Sequence, residues 1–162
     1  MNFIIAQILG AIGYSLLAYS YFKKKKKEIL LIQIFAYLFF TTHYFLLGAL
    51  TGSVCNVLGL ASIILIYFSK NKKLLVAILI PILIIMSILS YENIYSIFPV
   101  IACLIAFISF LSKDENKIRF VGIMAGLCWL VYAIIYKSYS AIIFEIVIVI
   151  SSLVAFIKNK KH

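Results

Sequence analysis

Residues 3–27 read FIIAQILGAIGYSLLAYSYFKKKKK: no charge from Phe3 to Phe22, then five consecutive lysines. At about 1.5 Å per helical residue, a run of roughly twenty apolar residues spans the hydrocarbon layer of a bilayer. A cleaved leader carries its charges before the apolar run; here they follow it, so the stretch is expected to stay as a membrane helix. The rest of the chain repeats the pattern. Further apolar runs extend over Ile29–Gly48, Ser53–Phe68, Leu74–Ser90, Ile94–Ser112, Ile118–Tyr136 and Ser138–Ile157, and a turn is expected at Gly48-Ala49-Leu50-Thr51-Gly52. Each is continuous, whereas a barrel strand would alternate over about ten residues, so the reading is an all-α membrane protein with seven transmembrane helices.

Composition agrees. Of 162 residues, 65% are hydrophobic and 12% charged, and the mean hydropathy is +1.16, more apolar surface than a soluble core of this size would hide. The balance of 15 basic against 5 acidic residues gives +10, which on a soluble protein would point to nucleic acid. Distribution decides otherwise. With seven spans, 14 of the 15 basic residues fall on one side, in Lys23–Lys27, in Lys70, Lys72 and Lys73, in Lys113, Lys117 and Arg119, and in Lys158, Lys160 and Lys161; only Lys137 falls opposite. The positive-inside rule then expects the N-terminus outside and the C-terminus in the cytoplasm; the high lysine and isoleucine content suggests an AT-rich bacterial genome, which fits a bacterial plasma (inner) membrane. The expected partner is the lipid bilayer, not nucleic acid, and a homo-oligomer is compatible with the sequence.

Parity suggests a duplication. With the aliphatic fourth helix set aside as a linker, helices one to three and five to seven form two parallel three-helix bundles, 1–73 and 94–162, joined by a linker transmembrane helix, 74–93. A shift of 89 positions aligns Ile29 with Ile118, Ala36 with Ala125, Leu38 with Leu127, Ser62 with Ser151 and Asn56 with Glu145 without a gap. The stretches Ala6-Gln7-Ile8-Leu9-Gly10, His43 to Gly48 with Thr51 and Asn56, Lys117-Ile118-Arg119, and Cys128 to Tyr132 with Ser140 and Glu145 resemble the YgjV-type bacterial inner membrane protein family over nearly the whole chain. The layout is also similar to that of the SWEET and PQ-loop transporters, a resemblance that implies two three-helix bundles around a solute path. The Pro-Gln pair of those transporters is incomplete here, since Gln7 follows Ala6 and Pro99 is followed by Val100.

An ionisable group within the hydrocarbon needs a partner or a function. Glu145 is the one acid so placed, about 10 Å below the outer surface at seven residues into the last helix. Asn56, His43, Trp129 and Tyr132 fall in the same outer half, so the candidate solute site is Asn56, Glu145, His43, Trp129 and Tyr132. Asn56 and Glu145 would bind hydroxyls or amines, and Trp129 would stack on a flat face. His43 would relay a proton from Glu145. The bland reading is an interhelical hydrogen bond that only fixes packing. Pro99 is the candidate hinge, while Gln7, Gln33 and Pro81 read as structural.

Gly48–Gly52 and Gly122–Gly126 both have GxxxG spacing, the second within a helix. Cys55, Cys103 and Cys128 read as small apolar fillers, with neither a metal site nor a disulfide indicated. No nucleophile–base set, phosphate loop or HExxH occurs, so no enzyme and no cofactor are expected. The expected function is a small-solute membrane transporter with its polar site between the bundles. The alternative is a non-transporting membrane scaffold or partner subunit whose polar residues only pack helices.

Overall fold

The computed structural model describes residues 2–20, 22–23, 25–69, 71–109, 111–112 and 115–159. The loop lysines Lys24, Lys70, Lys113, Lys160 and Lys161 lie outside the described residues. Seven α-helices follow one another: α1 Asn2–Ser20, α2 Lys26–Leu46, α3 Leu50–Phe68, α4 Lys72–Leu89, α5 Ile97–Ser109, α6 Glu115–Ile135 and α7 Tyr139–Asn159, with a 3-10 turn, Ile94–Ser96, leading into α5. The first four are long and apolar enough to cross a membrane, and the apolar parts of the others are Ile94–Ser109, Phe120–Ile135 and Tyr139–Val154. Helices suit these sequences because each satisfies its own backbone polar groups, which lipid cannot do.

Each helix packs on its chain neighbour, α1 also touches α7, and α3 also touches α5. The contacts close a ring of six helices, α1-α2-α3-α5-α6-α7, with α4 outside it against α3 and α5. Helix α4 turns a stripe of Leu75, Leu79 and Leu83 onto that junction, at the i, i+4 spacing of one helix face, and leaves Ile78, Ile82, Ile85 and Ile88 exposed on the other. Among the described residues Lys137 is the one basic residue at the end of the bundle where α2, α4 and α6 finish; the remainder lie at the opposite end.

Two helix ends share one backbone geometry. Two described residues have left-handed backbones, Gly48 at φ 73° and Lys137 at φ 53°, and they are 89 positions apart. Both close a helix in the same way. Gly48 N bonds Phe45 O at 3.0 Å and Ala49 N bonds Tyr44 O at 2.9 Å, while Lys137 N bonds Ile134 O at 3.2 Å and Ser138 N bonds Ala133 O at 2.8 Å. This is the paired bonding of a helix end that needs a left-handed residue just beyond it. Glycine meets that need at Gly48; Lys137 meets it at a steric cost of about 1 kcal/mol. Replacing Lys137 with glycine is therefore expected to raise the melting temperature of the purified protein by a few degrees, and Gly48→Ala to lower it by a similar amount. Melting curves in detergent check both.

Two local expectations change. The turn expected over residues 48–52 ends earlier, because Leu50, Thr51 and Gly52 already belong to α3. Gly52 serves contact rather than turning: a Cβ there would stand 2.5 Å from the Tyr132 ring. Pro99 does not break a helix interior. It is the third residue of α5, in the first turn, where backbone N–H groups have no intrahelical acceptor and a missing one costs nothing. Within the GxxxG pair of α6, Gly126 meets Val149 and Glu145 of α7, whereas a Cβ at Gly122 would meet open space.

Candidate functional site

A cavity of about 410 Å³ lies inside the six-helix ring, and every one of those helices lines it. Asn56 of α3, Trp129 of α6 and Glu145 of α7 are in its wall. Glu145 is 8% exposed and makes no hydrogen bond among the described residues. Its Oε2 lies over Gly126, 3.3 Å from where a Cβ would be, so the missing side chain makes room for the carboxylate. Asn56 donates from Nδ2 to the Gly52 carbonyl of its own helix at 2.8 Å. A carbonyl only accepts, so this bond fixes the amide's orientation and leaves Oδ1 as the acceptor without a partner.

His43 and Tyr132 lie elsewhere, at the Gly48 end of the cavity, and neither lines it. The His43 Nδ1 is 2.6 Å from the Ala6 carbonyl and its Nε2 is 2.6 Å from Ser138 Oγ. Since the carbonyl must accept, Nδ1 carries the proton and Nε2 of the neutral ring accepts from the serine hydroxyl. Both ring nitrogens are thus engaged, and His43 binds α1 to the start of α7 rather than facing Glu145. Tyr132 Oη accepts the Gly52 N–H at 3.0 Å, one of the first-turn donors of α3 that have no partner within the helix.

These bonds belong to a reciprocal clasp. The start of α7 is held by groups from the first half: Gln7 donates to the Lys137 carbonyl at 2.9 Å and accepts from Ser140 N at 3.3 Å, beside the His43 bond to Ser138. The start of α3 is held, besides Tyr132, by the end of α4 and the segment after it: Thr51 Oγ1 bonds the Ser90 carbonyl at 2.6 Å and Ser96 Oγ at 3.0 Å, and Thr51 N donates to Glu92 at 3.3 Å. His43 of α2 and Tyr132 of α6 are 89 positions apart, and each bonds the start of another helix, α7 and α3 respectively. Below the clasp Tyr44, Trp129 and Tyr132 form an aromatic layer with ring centroids 5.6–6.1 Å apart, and Tyr136 stacks on Tyr132 at 4.6 Å.

The sequence reading missed several wall residues. Tyr14, Tyr37 and Tyr44 line the cavity, and the buried Tyr44 hydroxyl makes no hydrogen bond. A tyrosine hydroxyl deep in a helix was the available signal. Cys55 and Cys103 meet where α3 touches α5, with the Cys103 thiol 3.8 Å from the Cys55 carbonyl; both also line the cavity, and Cys128 does not. Their 48-residue separation gave no sign of this contact. Among the described residues no group of His, Cys, Asp and Glu is arranged to hold a metal.

Seven apolar helices, six of them around a chamber that holds the buried carboxyl of Glu145, define a multi-pass helical membrane protein. The Imp-YgjV family, described as "Bacterial inner membrane protein", matches residues 4–162, and the chain belongs to that family. No curated protein and no solved structure matches it.

Proposed function

We propose that this chain is a transporter of a small polar solute, which binds at Asn56 and Glu145 between two three-helix bundles, residues 1–73 and 94–162. The observation that carries the reading is the cavity itself: all six ring helices wall it, and a buried carboxyl with no hydrogen bond among the described residues stands in its wall. Such a group in the hydrocarbon zone is costly and marks a solute or proton path. The aromatic layer of Tyr44, Trp129 and Tyr132 is the outer gate in this reading. Residues His43 and Tyr132 act on the gate rather than on the solute. The bundles rock about the ring's two junctions, α1 with α7 and α3 with α5, and α5 swings from the 3-10 turn that precedes Pro99. The lysine-rich end faces the cytoplasm. Neither a catalytic step nor a cofactor is part of the proposal.

The test is uptake by proteoliposomes of a labelled panel of sugars, nucleosides, amino acids and amines. Glu145→Gln and Asn56→Ala are expected to lower the initial rate for the transported solute at least about tenfold, the effect of losing one charged or polar contact worth roughly 1.4 kcal/mol or more. Unchanged uptake in both variants would overturn the reading. A second prediction addresses the rocking. Oxidation that joins Cys55 to Cys103 pins α3 to α5, and it is expected to stop uptake in the wild type but not in Cys55→Ser. A non-transporting scaffold is the second reading. The saturated hydrogen bonding of His43 favours it, and it requires that no solute of the panel enters the vesicles.

A further inference from the structure

We infer that the cavity's ligand is an organic ammonium ion, an alkyl or arylalkyl amine with N–H donors, held by Glu145 and Asn56 against aromatic faces. The inference rests on the reading of the cavity as a solute site and names its chemistry. Three observations converge on it. Glu145 is the only charged residue among those lining the cavity, and no lysine, arginine or histidine of the described residues stands in the wall to neutralise it. Asn56 likewise presents an acceptor, because the Gly52 carbonyl takes its Nδ2 and leaves Oδ1. Finally, seven of the twenty-one lining residues are aromatic, against 15% of the whole chain.

A carboxylate with an amide oxygen offers acceptors and negative charge, and it offers little to a carbonyl, a phosphate or another acid. The wall also carries the Ser62, Tyr14, Tyr37 and Tyr44 hydroxyls, and a hydroxyl can accept an ammonium N–H as readily as it donates. Ring faces carry the negative part of the quadrupole and attract cations within about 6 Å, more strongly where water is excluded. Tyr14 belongs to an aromatic cluster of this wall: its ring packs 4.4 Å from both Phe40 and Phe144, and Phe144 directly precedes Glu145 in α7. A volume of about 410 Å³ accepts an amine of phenethylammonium size with room to spare.

Trp129 is the chain's only tryptophan and lies in this wall, so its fluorescence reads binding directly. The experiment titrates purified full-length protein in detergent with phenethylammonium, 2-phenylethanol and 3-phenylpropanoate, which share a phenyl group and differ in charge. Phenethylammonium is expected to change the Trp129 signal saturably at a concentration about tenfold or more below that of the alcohol. The carboxylate is expected to give no saturable change, and in Glu145→Gln the preference for the ammonium is expected to vanish. The wild-type comparison needs no variant, so a poorly folded Glu145→Gln leaves the test intact. Equal binding of alcohol and ammonium, preference for the carboxylate, or no saturable response to the ammonium overturns the inference. Its failure is separable from failure of the transport reading. Amine binding without vesicle uptake sinks transport alone, and uptake of a neutral solute without amine binding sinks this inference alone.

Discussion

Replacing His43 with alanine is expected to lower the melting temperature of the purified protein by about 6–12 °C, the equivalent of roughly 3 kcal/mol for a chain of this length. The side chain is wholly buried, and both of its nitrogens are bonded, one to α1 and one to the start of α7. Removal leaves a cavity and strands the Ser138 hydroxyl, and the two losses add because neither can be repaired by water. The same substitution separates two roles. If His43 were a proton relay, a conservative His43→Asn protein would keep its melting temperature and lose uptake. The bonding in place predicts the opposite pattern: stability falls, and the uptake that remains per folded molecule is unchanged. A thermal melt and a vesicle assay on one preparation decide between them.

The second large effect is expected at Gly52. An added methyl would lie 2.5 Å from Tyr132 Cε1 and 3.1 Å from its hydroxyl, and the ring cannot give way. It is fully buried, with Tyr44 at 5.6 Å, Trp129 at 6.1 Å and Tyr136 at 4.6 Å. Gly52→Ala should therefore cost about 2–3 kcal/mol, at the upper end for overpacking, because the displaced ring also loses the Gly52 N–H. Tyr132→Leu removes the colliding atoms, so the double substitution is expected to be no less stable than Tyr132→Leu alone. Additive losses in that cycle would show that the contact is not what constrains Gly52.

Much of the architecture was readable before any coordinates. Apolar runs and lysine blocks located the seven helices to within a few residues, since both features follow from the bilayer's thickness and polarity. The 89-residue shift that paired Asn56 with Glu145 is the shift that relates Gly48 to Lys137 in the backbone. What was not readable was direction around each helix. Depth comes from counting residues, but consecutive side chains point about 100° apart, so His43 and Tyr44 share a depth while only Tyr44 reaches the cavity. Choosing between them needs the neighbours' positions. Cys55 with Cys103 shows the same limit, as does Gly52, which looked like a turn residue because the ring it accommodates is 80 residues away.

The crossed clasp has a consequence for how the molecule is made. The amide at the start of α3 waits for a phenol 80 residues later in the chain, and the imidazole of α2 waits for a serine 95 residues later. During synthesis the first three helices must therefore dwell in the membrane with open ends until the sixth and seventh arrive. Chaperones and proteases have that interval in which to inspect a chain that has inserted but not yet locked. Substitutions at Tyr132 or Ser138 should lengthen it, and so reduce yield in the cell beyond what the melting temperature of the surviving protein would suggest.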